Sequence, residues 1–148
     1  MSPEMGFISY LKTLKPKDWN VKVTDKWTVK DVVAHMVGWE RGDVEEIKRI
    51  WETKTPPWWK NDPNYDEFNY KWVGFYKDYT PEQLIAEWEM WQRKVTKEVG
   101  KIGYSNIKSR PDLFDWLIED KNNNYTLNEG GSHYEHHYNQ IKKALENK

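Results

Sequence analysis

The sequence predicts an all-α protein: a bundle of four amphipathic helices, with short extra helices in the connections. Three observations lead there. Apolar residues recur at spacings of three and four along four separate stretches, the signature of a helix with one buried face. Helix-opening signals stand just ahead of several of those stretches. No run alternates convincingly with a period of two, and no internal repeat is present. Amphipathic helices must bury their stripes against one another, and a bundle does this.

Ser2-Pro3-Glu4 opens the first helix with an N-cap, a proline in the first turn and an acid near the positive end of the dipole. It is expected to run to about Leu14 with Met5, Phe7, Ile8 and Leu11 inward, ended by Lys15-Pro16-Lys17-Asp18. Trp19 to Lys26 is a connector. Thr28-Val29-Lys30-Asp31 then has the spacing of a capping box, with Asp in place of the usual Glu. The second helix extends from it to Trp51 or Thr53, with Val29, Val32, Val33, Met36, Trp39, Ile47 and Ile50 inward. On a wheel of ~100° per residue, His35 falls at the edge of this stripe beside Trp39.

Pro56-Pro57 breaks the pattern, and Trp58 to Asn64 reads as a loop. A shorter helix covers Tyr65 to Tyr76. Thr80-Pro81-Glu82-Gln83 is a complete start signal for the third long helix, with Leu84, Ile85, Trp88, Trp91, Val95 and Val99 on one side. Gly100 and Gly103 close it. Residues 104–131 read as irregular apart from a short helix over Asp112 to Ile118, with Asn122-Asn123-Asn124 an exposed turn. Gly130-Gly131-Ser132 leads into the last helix, whose inward set is His133, Tyr134, His137, Tyr138, Ile141 and Leu145.

At 148 residues and 18.0 kDa the chain is expected to form one domain over residues 1–148. A net charge of -1 supplies no basic field for nucleic acid or an anionic membrane. The mean hydropathy of -1.04 is low because ten Trp and nine Tyr score as polar while burying large areas, so the expected core is built largely from rings. There is no cysteine, which excludes disulfides, thiolate ligands and a Cys nucleophile. No stretch approaches the ~18 apolar residues of a membrane span, and the first residues lack a signal-peptide core; a cytoplasmic protein is expected.

Three of the four histidines stand in the run Ser132-His133-Tyr134-Glu135-His136-His137-Tyr138. Positions i and i+4 of a helix share a face, so His133 and His137 can present two imidazoles to one point. A third from another helix completes a three-nitrogen set with an open position, as in catalytic zinc-type sites. His35 is the remaining candidate. The competing reading is a satisfied histidine pair on a core or solvated face. Both His133 and His137 lie on the side of Ile141 and Leu145, whereas His136 points away by more than a quarter turn. Glu135 lies between the ligands but faces away from them, so it reads as structural or solvated; Glu40 likewise reads as solvated. Trp39, Tyr134 and Tyr138 are candidate pocket-lining residues, and Trp58, Trp59 and Trp72 could roof a site for a flat substrate.

The run from Trp27 to Glu40, WTVKDVVAHMVGWE, resembles the second-helix signature of the DinB superfamily, in particular its DfsB/ClbS-like branch. Glu67-Phe68-Asn69, followed by the run from Phe75 to Leu84, is similar to the start of that branch's third helix. The run from His133 to Ile141, HYEHHYNQI, resembles the superfamily's closing motif of two histidines four apart before a Gln-Ile. The resemblance covers about residues 16–146 in the expected order. It implies an up-down-down-up four-helix bundle and a divalent metal on His35, His133 and His137, with no ligand role for His136. Among relatives are thiol-dependent S-transferases and isomerases, and a protein that inactivates a reactive cyclopropane-bearing toxin. The first helix is short by comparison, so the wall of the bundle it forms is either thin or completed by a partner chain, the second alternative being a homodimer.

Three neutral imidazoles suit zinc or another borderline ion such as nickel or cobalt, whereas calcium and magnesium want oxygens. Without its own cysteine, the chain would need an external low-molecular-weight thiol for thiol transfer. Two functions follow: a metal-dependent enzyme of thiol S-transfer, isomerisation or hydrolytic detoxification of a small molecule, or a non-catalytic bundle that binds or sequesters one, with a structural or vestigial metal site. A purely structural interaction protein is a third, weaker reading.

Overall fold

The computed structural model describes residues 3–62, 64–121 and 133–147, and within these the side chains of residues 3, 118–121 and 133 are outside the description. The expected Ser2 cap, the Asn122-Asn123-Asn124 turn and the Gly130-Gly131-Ser132 lead-in therefore lie outside the described residues. Among those described there are seven α-helices and no strand: α1 (Pro3–Leu11), α2 (Val29–Thr53), α3 (Tyr65–Phe75), α4 (Pro81–Ile102), α5 (Tyr104–Lys108), α6 (Pro111–Lys121) and α7 (His133–Glu146). Short 3-10 turns fill Pro16–Asn20 and Trp58–Lys60.

The two longest helices start at their sequence signals. Thr28 Oγ1 accepts the Asp31 N–H at 3.2 Å while Asp31 Oδ2 accepts the Thr28 N–H at 3.1 Å. Thr80 and Gln83 make the same reciprocal pair ahead of α4, at 3.1 and 2.9 Å. Such bonds satisfy N–H groups that the first helical turn leaves without partners. α2 ends where Lys54 turns left-handed, at φ 57°, and returns its N–H to Ile50. α4 ends at Gly103, whose φ of 96° suits a residue without Cβ.

α1 is shorter than the apolar pattern suggested. It stops at Leu11 and tightens into i→i+3 bonds from Thr13 to Tyr10 and Leu14 to Leu11, because Lys15 must extend ahead of Pro16. Phe7, Ile8 and Leu11 are buried, but Met5 is 51% exposed. Glu4 turns inward instead, accepting the Trp88 indole N–H at 2.8 Å and the Gln92 amide at 3.2 Å. Residues 104–108 form a helix where irregular chain was expected, and α6 extends past both ends of its expected range.

α2 packs against α4 on one side and α3 on another, and α1 lies along α7. Consequently every residue from Val32 to Gly38 is buried, wider than the single stripe in the sequence. Gly38 permits this, since the Trp72 side chain of α3 occupies the space that a Cβ there would need. The first half of α2 contributes to one buried cluster with α1, α3, α4 and α7, and its second half to another with α4, α5 and α6. No helix among the described residues is long and apolar enough to cross a membrane.

Candidate functional site

His35 sits mid-way along the buried run of α2, and His137 one turn before Ile141, which anchors α7 with no exposed surface. Packing these elements together brings the two Nε2 atoms to 3.1 Å, with ring centroids 4.7 Å apart and planes at 82°. The two residues are 4% and 9% exposed.

Their other nitrogens face amide oxygens. His35 Nδ1 lies 3.3 Å from Asn69 Oδ1 on α3, and that oxygen also accepts the Trp39 indole N–H at 2.7 Å. His137 Nδ1 lies 2.9 Å from Gln140 Oε1, three residues along α7. Burial pushes His35 down to about 3, helped by His137 and opposed by the Asn69 bond. His137 is likewise pushed down to about 4 by burial, with the Gln140 bond opposing and His136 adding to the shift. Both rings are thus neutral at pH 7, the form in which imidazole ligates metals.

The donor set suits a borderline divalent ion. Two imidazole nitrogens on one tetrahedral zinc, at ~2.0–2.1 Å each, stand about 3.3 Å from one another, close to the 3.1 Å found here. The amide oxygens at both Nδ1 atoms match the partners that orient metal-bound histidines in general.

A cleft of about 580 Å³ opens beside the pair. Trp27, Trp39, Trp59, Tyr65 and Trp116 wall it with rings, and Glu40, Asp43 and Tyr134 add polar groups. The Trp27 ring lies 5.0 Å from His35. Glu40, expected to be solvated, is only 2% exposed, and its Oε2 accepts the Tyr134 hydroxyl at 3.1 Å. Glu40 points away from His35 on the α2 wheel, but at ~100° per residue it falls among Val29, Val33, Met36 and Ile47, inside the buried stripe, and Tyr134 of α7 supplies its hydroxyl there.

Of the expected site residues, His35 and His137 come together, while the side chain of His133 lies outside the described residues. Among the described residues no group of three or more His, Asp or Glu is arranged to hold a metal ion. His136 is exposed at the cleft edge, its ring 5.0 Å from His137, and Glu135 is exposed. Trp39 and Tyr134 line the cleft; Tyr138 packs against Phe7 and Tyr10, at 5.5 and 5.0 Å. Trp59 lines the cleft, Trp58 stacks on Trp39, and Trp72 is buried against α2. Asp43 and Trp116 had not been singled out, and Asn69 and Gln140 had been noted only within the resembling motifs, without a role at the site. Gln140 was within reach, since i+3 shares a face with His137. Asn69 comes from another helix, and the motif it stands in gave no sign that it faces His35.

An all-helical chain in which histidines of two helices meet beside an aromatic cleft defines the class of site. The family model for the DinB superfamily matches residues 4–141, nearly the whole length, and the chain belongs to that superfamily. No curated protein and no solved structure compared with it gives a match.

Proposed function

We propose that the protein is a divalent-metal-dependent enzyme of the DinB type, which acts on a small molecule by thiol S-transfer, isomerisation or hydrolytic detoxification. The reading rests on the 3.1 Å approach of the His35 and His137 Nε2 atoms, both buried and neutral. His35, His133 and His137 would hold the ion, zinc or nickel, with an external low-molecular-weight thiol as co-substrate for thiol transfer. When bound, the ion supplies Lewis acidity and a coordination position for water or a thiolate. The chain's own groups do the rest: Asn69 and Gln140 orient the imidazoles, and the indoles of Trp27, Trp39, Trp59 and Trp116 bind apolar, flat substrate surface and exclude water. Glu40, held by Tyr134, places a carboxylate in the same cleft.

The same proposal takes residues 1–148 as one cytoplasmic domain of the DfsB/ClbS-like branch, with α1, α2, α4 and α7 running up-down-down-up. Its partners are a small-molecule substrate and a second copy of the chain, not nucleic acid or membrane. A second reading, a non-catalytic bundle that sequesters a ligand, is favoured by the ring-walled cleft itself. It is also favoured by the His35–His137 spacing, which a hydrogen bond between the rings equally explains.

Metal titration separates the two. Metal-free protein should take up one zinc, nickel or cobalt ion per chain. His35→Ala, His133→Ala and His137→Ala should each abolish uptake while His136→Ala retains it. Equal behaviour of all four variants would sink the triad.

A further inference from the structure

We propose that Asn69 is a positioning residue that decides which nitrogen of His35 carries the proton, and that Trp39 locks Asn69 in that role. An indole N–H can only donate. At 2.7 Å it identifies the Asn69 atom facing it as the carbonyl oxygen, since the reversed amide would set two donors against each other. His35 Nδ1 faces that same oxygen at 3.3 Å, so it carries a proton; an unprotonated Nδ1 would set lone pair against lone pair. The Nε2 of His35 is then the lone-pair nitrogen, and it points at His137.

The lock has a source in the fold. His35 and Trp39 are i and i+4 on α2, so one side chain from α3 can reach both. Trp39 is fixed by its neighbours, with Phe68 at 4.4 Å and Trp58 stacked at 6.1 Å and 12°. Trp72, one turn along α3 from Asn69, seats against Gly38 and sets the register that delivers Asn69 to the pair. His137 is held differently. Its Gln140 lies on its own helix, and among the described residues no indole or other donor fixes which amide atom faces the ring. Asn69 therefore gives His35 one tautomer. In the metal-free chain the His35 lone pair makes His137 Nε2 the donor at 3.1 Å. To ligate, His137 must shift that proton to Nδ1, a change Gln140 can follow by turning its amide. This inference rests on the proposed metal site, where a ligand imidazole must offer an unprotonated nitrogen.

Long-range proton–nitrogen spectra of the metal-free full chain read the tautomer, and cobalt(II) titration reads affinity. In the wild type, His35, assigned with His35→Gln, should be the Nδ1–H form. Asn69→Leu should admit the Nε2–H form and weaken cobalt binding by about 10–100-fold, the usual effect of losing such a partner. Asn69→Asp keeps an oxygen for both donors and should retain both the tautomer and the affinity. Trp39→Phe, which removes the lock and keeps a ring, should give a mixed population. A wild-type His35 in the Nε2–H form would overturn the proposal without any variant. So would Asn69→Leu with tautomer and affinity unchanged, even if its thermal stability falls. An Asn69-dependent Nδ1–H form in a chain that binds no cobalt would uphold the positioning role and refute the metal reading alone.

Discussion

Val44, Ile47 and Ile50, in the second half of α2, pack with Val95 of α4 and with Ile107, Leu113, Phe114 and Leu117 of the two helices that follow it. Within the three turns before Val44 on the same helix, His35, Glu40 and Asp43 are buried as well, beside a cleft of about 580 Å³. The first region excludes water and is apolar at its centre. The second keeps titratable groups inside at a desolvation cost that hydrogen bonds only partly offset. The second half of α2 thus serves packing, whereas the first half carries both the larger apolar cluster and the titratable groups of the cleft, the two joined by a continuous helix. A change at the apolar end should alter how firmly the chain folds, and a change at the polar end what the cleft can bind and when.

The largest expected effect tests the apolar end. Phe114 is fully buried, and Phe114→Ala should lower stability by about 3–5 kcal/mol in urea unfolding, with cobalt affinity of the folded fraction unchanged. A loss of affinity alongside would show that the two regions are not separable.

Acid should act on the other end. Unfolded histidines titrate near the ordinary value of about 6.5, whereas burial holds His35 near 3 and His137 near 4. Between those limits the unfolded chain binds more protons. Stability is thus fully present above about 6.5 and is lost as pH falls from there towards 4. For one ring the loss is on the order of 3 kcal/mol. Urea unfolding of metal-free protein at neutral pH and at about pH 4.5 measures it, and a His35→Leu/His137→Leu double variant should have a much flatter profile. An unchanged profile would place the acid sensitivity outside the cleft.

Smaller changes sharpen the contrast. Gly38→Ala sets a methyl group against the Cβ and Cγ of Trp72, atoms too near the α3 backbone to swing aside. It should cost about 1–3 kcal/mol and, by lifting α3, weaken cobalt binding as well. Gly100→Ala meets nothing within 4 Å inside α4 and should stabilise by about 0.5–1 kcal/mol, leaving cobalt binding unaltered.

Much of this was legible in the chain itself. Thr28 with Asp31 and Thr80 with Gln83 announced the starts of α2 and α4, because a cap bond forms between residues three apart and needs nothing distant. Leu84, Ile85, Trp88 and Val95 were readable as the inner face of α4 for the same local reason. The role of Asn69 was not, and the burial of Glu40 was legible from its place between Val33, Met36 and Ile47 on the wheel but was not drawn from it. The Tyr134 partner of Glu40 comes from α7, and the contacts of Asn69 to His35 and Trp39 span more than two dozen residues of sequence. The Arg41 guanidinium, 5.0–5.1 Å from the rings of Trp72, Phe75 and Trp91, is another arrangement no local pattern announces.

By itself, the order of residues determined where the long helices α2 and α4 lie and begin, though not the short α5 or the early end of α1, since a cap and an apolar stripe depend on neighbours within a turn or two. Only the tertiary structure decided that His35 meets His137, that Asn69 and Trp39 take hold of one of those rings, and that Tyr134 meets Glu40. Such pairings require the closure of long loops and the docking of one helix face on another. Their geometry is set by packed volume, down to the missing methyl at Gly38, rather than by any local preference of the chain.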